Sequence, residues 1–78
     1  MACVNADGTV TASARSILAA AQRAASAAEI STAAGLPLYR VRSSLRELVR
    51  AGLLRAEGER YILTEDGRTR LSASEQSR

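Results

Sequence analysis

The stretch that decides the fold runs from residue 26 to residue 54 and reads SAAEISTAAGLPLYRVRSSLRELVRAGLL. Ser26-Ala27-Ala28-Glu29 has the form of a capping box, in which the Ser hydroxyl accepts the amide three residues on and the Glu reaches back to the Ser amide. It opens a helix of about two turns that Gly35 stops, with Ala27, Ile30 and Ala33 as the expected inward face. Leu36 and Pro37 follow, and Pro is well tolerated at the first position of a helix. The spacing then predicts a helix over 38–51, ended by Gly52. Val41, Leu45, Leu48 and Val49 stand at i, i+4, i+7 and i+8 and make one apolar stripe. A short helix, a tight turn at Gly and a longer helix form a helix-turn-helix unit.

Working outward toward the C-terminus, Leu53 and Leu54 lead into Arg55–Arg60 and then Tyr61-Ile62-Leu63. Two short strands around a Gly-containing turn are the natural reading. Their register stays open, because Gly58 suits loops of several lengths. Tyr61 is expected to pack with Leu63 in the small core. Thr64 caps a last short helix from Glu65 to about Ser72, with Glu65 and Asp66 in the first turn, where the helix dipole favours acids. Leu71 packs back onto the body. Toward the N-terminus, Ala14, Ile17, Leu18, Ala21, Ala24 and Ala25 recur at helical spacing and predict a helix over 12–24, capped by Thr11 or Ser13. The turn dipeptide Asp7-Gly8, between Val4 and Val10, leaves residues 1–11 as a flexible arm or a small hairpin. One domain is therefore expected over 12–72, with a frayed polar tail over 73–78. The fold class is mainly α with a small β-hairpin, a winged helix-turn-helix with a three-helix core, a two-stranded wing and a short C-terminal helix.

Composition narrows the chemistry. The chain has 78 residues, of which 46% are hydrophobic, but alanine supplies nearly half of these. The core must be thin and its helices closely packed. With one Cys and no His, neither an intramolecular disulfide, a Cys/His zinc site nor a Ser–His or Cys–His hydrolase is available. No nucleophile–base pair or metal set is visible, so neither an enzyme nor a cofactor is expected. The Ala-rich stretch 17–34 is broken by Gln22, Arg23, Ser26, Glu29 and Ser31 and cannot span a membrane. With no signal-peptide pattern over residues 1–10 and Cys3 read as a free reduced thiol, a cytoplasmic protein is expected.

The formal charge is +3, and all eleven basic residues are Arg. A GC-rich coding sequence would raise Ala and Arg together, so the count alone says nothing about a partner. Position says more. Residues 1–35 are neutral, residues 36–56 set five Arg against Glu47, and residues 57–78 set four Arg against five acids. The excess is concentrated on the third helix and the strand after it. Opposite the apolar stripe, that helix carries Tyr39, Arg42, Ser43, Arg46 and Arg50, with Arg40 and Glu47 on a flank. Such a face suits phosphate and base-edge contacts. Arg42 and Arg46, one turn apart, are the candidate base readers, and Arg50 is a candidate phosphate contact. Ser43 is small enough to let the helix backbone approach. For Tyr39, stacking on a sugar and packing against the second helix both stay open. Arg55 and Arg60 at the base of the hairpin are further candidate backbone contacts. The acidic tip Glu57-Gly58-Glu59 would be repelled by phosphate and is given no such role.

Four segments in order resemble a known family. They are Ala28-Glu29-Ile30, Gly35-Leu36-Pro37, the run Val41…Leu45…Leu48…Ala51-Gly52-Leu53-Leu54, and Tyr61-Ile62-Leu63-Thr64-Glu65-Asp66-Gly67-Arg68. The chain looks like a winged-helix transcription regulator of the MarR-, ArsR- and PadR-like group, over residues 14–71. The resemblance implies that residues 38–50 enter the major groove of double-stranded DNA and that the hairpin touches the backbone or minor groove. It also suggests a homodimer, with the Ala-rich first helix as candidate contact. A winged helix serving as a protein-interaction module in a larger assembly is the alternative.

Overall fold

The computed structural model describes residues 10–76, with side chains to residue 73. Cys3 and the Asp7-Gly8 turn lie outside the described residues. The elements in chain order are α1 (Ala12–Ala20), β1 (Ala25–Ser26), α2 (Ala27–Ala34), α3 (Leu38–Arg50), β2 (Leu54–Glu57), β3 (Arg60–Leu63) and α4 (Glu65–Gln76). The fold is mainly helical, with a small antiparallel sheet in the order β1-β3-β2.

The first helix is shorter than its periodicity predicts. Thr11 caps it by accepting the Ala14 amide at 3.2 Å. Its end tightens at Ala21, whose N–H is shared between the Ile17 and Leu18 carbonyls at 3.1 Å each. The Ala21 carbonyl then accepts the Leu63 amide at 3.2 Å, which ties the helix end to the sheet. Ala24 and Ala25 therefore do not continue the helix: Ala24 is exposed, and Ala25 is buried in a strand. The cause is the next helix. Ser26 must be extended to cap α2, at φ −77° and ψ 166°, and the same extension lays Ala25 and Ser26 beside Tyr61 and Arg60.

The expected capping box is present. The Glu29 amide donates to Ser26 Oγ at 3.2 Å, and the Ser26 amide donates to Glu29 Oε1 at 2.9 Å. Ser26→Ala removes one of these bonds and leaves an unmatched helix amide. It is expected to cost about 1 kcal/mol, measured as a lower urea midpoint with an unchanged m-value.

Helix α3 buries Val41, Ser44, Leu45 and Leu48, and the three apolar ones meet Ile17 and Leu18 of α1 and Ile30 of α2 in one core. Ser44 takes an inward place that the apolar stripe had assigned to Val49, which is only half-buried. On α2, Ala33 is exposed, and Ala34 packs against the core in its place. Ala14 and Ala21 are fully buried, which lets α1 approach its neighbours closely. Helix α3 ends in a Schellman motif. The Gly52 amide bonds the Val49 carbonyl at 3.0 Å, the Leu53 amide bonds the Leu48 carbonyl at 2.9 Å, and Gly52 takes φ 83°.

The hairpin register runs from Leu54↔Leu63 to Glu57↔Arg60, so only Gly58 and Glu59 form the loop. Tyr61 is half-buried and packs against the core. Thr64 then joins three elements. Its amide bonds the Leu53 carbonyl at 3.2 Å, its hydroxyl donates to the Gly52 carbonyl at 2.7 Å, and it accepts the Gly67 amide at 3.0 Å. Helix α4 continues four residues beyond the expected Ser72, to Gln76. Leu71 is buried, as its place in the sequence suggests.

Candidate nucleic-acid interface

Burying Val41, Ser44, Leu45 and Leu48 turns the other side of α3 outward. Tyr39, Arg42, Ser43, Arg46 and Arg50 are all exposed there. Tyr39 is 74% exposed, so it does not pack against α2. Leu38 and Pro37 beside it are exposed too. Arg42, Arg46 and Arg50 make no hydrogen bond or ion pair among the described residues. Nothing among the described residues holds their guanidiniums.

Arg40 does not join this face. It is half-buried, and its Nη2 donates to Ser13 Oγ of α1 at 3.4 Å. The two hairpin arginines are also engaged. Arg55 sits two residues from Glu57 on the same side of β2, and both its Nε and Nη2 lie 2.9 Å from Glu57 Oε2. Arg60 Nη1 donates to the Ala24 carbonyl at 3.1 Å and lies 3.9 Å from Glu29 Oε1. Exposed pairs of this kind contribute little stability, but each sets a carboxylate against a wing guanidinium. The basic field of the hairpin is therefore weak, and that of α3 is intact.

Between α3, the start of α2 and the hairpin lies an open groove of about 750 Å³. Arg42 and Arg46 line one side, and Ala27, Ala28 and Ala56 keep the opposite walls low. Val49 and Tyr61 form apolar lining, and Glu59 stands at the wing tip. Of the eight candidate residues, Arg42 and Arg46 meet in this groove, Tyr39, Ser43 and Arg50 share their helix face, and Arg40, Arg55 and Arg60 are bonded elsewhere. Val49 was missed as a surface residue because its place at the edge of the apolar stripe reads as core. Only Ser44, a small polar residue at an inward angle, hints that the stripe is rotated.

Among the described residues no cluster of His, Cys, Asp and Glu could hold a metal ion, and no helix is long and apolar enough to cross a membrane. No protein-family model matches the chain, and no curated protein matches it. A solved structure does. The crystal structure of a MarR family transcription regulator aligns with a TM-score of 0.73 and 29% sequence identity, over 85% of this chain and 50% of that one. The chain spans about half the length of that protein. The order of helices, the antiparallel hairpin after α3 and this likeness together make the chain a winged helix-turn-helix domain similar to that of a MarR family transcription regulator.

Proposed function

We propose that this chain is the DNA-binding domain of a transcription regulator, and that it acts by laying α3 in the major groove of duplex DNA. The observation that carries the reading is the face formed by Arg42, Arg46 and Arg50, three exposed guanidiniums without partners among the described residues. A helix presenting free cations is costly in self-repulsion and is relieved when phosphates neutralise it. The likeness to a transcription regulator points the same way. In this reading Ser43 would let the backbone come close to the bases, and the exposed Tyr39 would stack on a sugar. Occupation of a promoter site would block or recruit other proteins. Two copies on a twofold site would follow if the chain dimerises, and a cytoplasmic location belongs to the same reading.

The test is the salt dependence of binding to duplex DNA, followed by fluorescence anisotropy. Log affinity is expected to fall linearly with log salt, with a slope of about −0.9 for each phosphate neutralised. Absence of duplex binding at low salt would sink the proposal. The ion-paired hairpin favours a second reading, a protein-interaction module, because a wing that cancels its own charge adds little to DNA affinity. Under that reading, binding to duplex stays weak and does not distinguish sequences.

A further inference from the structure

We infer that the base sequence read by this domain is built on guanines contacted through their major-groove O6 and N7 edges by Arg42 and Arg46. The inference rests on the reading of α3 as the DNA-facing helix and goes further by naming the base.

The argument is one of available chemistry. Adenine is read by the paired donor and acceptor of an Asn or Gln amide, guanine by the two donors of Arg, and cytosine by a carboxylate. From Leu38 to Arg50 there is neither Asn nor Gln. The only carboxylate on α3, Glu47, is half-buried on the flank. Ser44 is buried, and Arg40 is turned to Ser13. The outward face thus holds Tyr39, Arg42, Ser43, Arg46 and Arg50, and of these only the arginines make bidentate base contacts. Arg50 stands at the C-terminal end of the helix, while Arg42 and Arg46 flank Ser43, whose small side chain would let the backbone approach.

The hairpin narrows the choice further. A wing that reads A·T-rich DNA inserts a free cation into a narrow minor groove. Here Arg55 is bonded to Glu57, Arg60 to the Ala24 carbonyl, and the loop adds Glu59. Sequence information therefore comes from the two α3 guanidiniums. Four residues, about one turn, separate them by about 6 Å along the helix axis, so both side chains can reach base pairs close to one another in the groove. The two guanines are expected within that reach.

The experiment begins with selection of duplexes from a random pool by the 78-residue chain. In the selected duplex, each guanine is then replaced by 7-deazaguanine, which removes N7 but pairs normally, and separately by inosine, which lacks only the minor-groove amino group. The expected result is a loss of about 10-fold for 7-deazaguanine at each of two guanines, no loss with inosine, and disappearance of one 7-deazaguanine effect in Arg46→Ala. Salt-dependent duplex binding with no response to 7-deazaguanine, or with an equal response to inosine, overturns the guanine assignment and leaves the DNA-binding reading standing. Absence of binding to every duplex at low salt overturns both.

Discussion

Gly67→Ala is expected to lower the thermal midpoint by about 15 °C, although the substitution lies inside a helix where alanine is favoured. Helix propensity alone predicts a gain of about 1 kcal/mol. Packing reverses the sign. Gly67 is buried in α4, and a Cβ there would overlap the Leu53 backbone oxygen and stand 2.7 Å from Leu63 Cδ1. The Leu53 oxygen cannot swing aside, because it accepts the Thr64 amide at 3.2 Å and its chain is fixed by the Schellman bond to Leu48. The first turn of α4 must therefore move off the hairpin, breaking the Thr64 cap and opening the packing of Leu71. Overpacking of this kind costs about 3 kcal/mol, a large share of the total stability of so small a domain. At about 4–8 °C per kcal/mol for a domain of this size, the midpoint shift follows. Gly52→Ala is the comparison. Its Cβ meets nothing within 4 Å, and its cost comes only from φ 83°. That cost is about 1 kcal/mol. A differential-scanning measurement in which Gly67→Ala melts at or above the Gly52→Ala variant would overturn the packing argument.

The contrast between these glycines shows which parts of the fold a linear reading reaches. Gly52 is legible because a Gly after an apolar helical stripe has a local meaning, and the capping box at Ser26 and Glu29 is legible for the same reason. Gly67 is not, because the atoms that exclude a side chain belong to Leu53 and Leu63, brought there by the hairpin. β1 escaped notice because two residues carry no alternation, and Ala24 and Ala25 suit a helix as well as a strand. In the candidate interface, the outward set of Tyr39, Arg42, Ser43, Arg46 and Arg50 followed from helical angles. The engagement of Arg40 did not, since Ser13 lies 27 residues away. The same holds for Arg60, whose partner carbonyl is 36 residues upstream.

Those remote pairings change the electrostatics of the domain. With Arg55 set against Glu57 and Arg60 near Glu29, the hairpin offers phosphate no net attraction. The buried side of α3 instead fixes where the free charge points. Val41, Leu45 and Leu48 hold the helix in one rotation about its axis, and Ser44 completes the inward row. The arginine face is thereby as rigid in direction as the core, while its side chains stay free to choose partners. Under the proposed DNA-binding reading, core packing would orient the helix and the exposed guanidiniums would contact DNA.

Arg46→Ala tests that reading most directly. Arg46 is exposed, lines the groove, and bonds to nothing among the described residues, so its loss should leave the thermal midpoint unchanged. Its expected effect is on recognition. Affinity for a selected duplex should fall by about 1–3 kcal/mol, while affinity for random duplex falls much less, so that discrimination collapses. Arg50→Ala should weaken selected and random duplexes alike and reduce the salt slope by about 1, as loss of a phosphate contact does. The double variant Arg55→Ala/Glu57→Ala removes one charge of each sign and should leave both affinities close to those of the parent. Anisotropy titrations of the four proteins at two salt concentrations distinguish these outcomes. If the hairpin double variant lost discrimination and Arg46→Ala kept it, the reading surface would be the wing, and the assignment of α3 as the base-contacting element would fail. The opposite result is expected from the bonding: a guanidinium already held by a carboxylate must give up that partner before it meets DNA, and among the described residues Arg46 has no partner to give up.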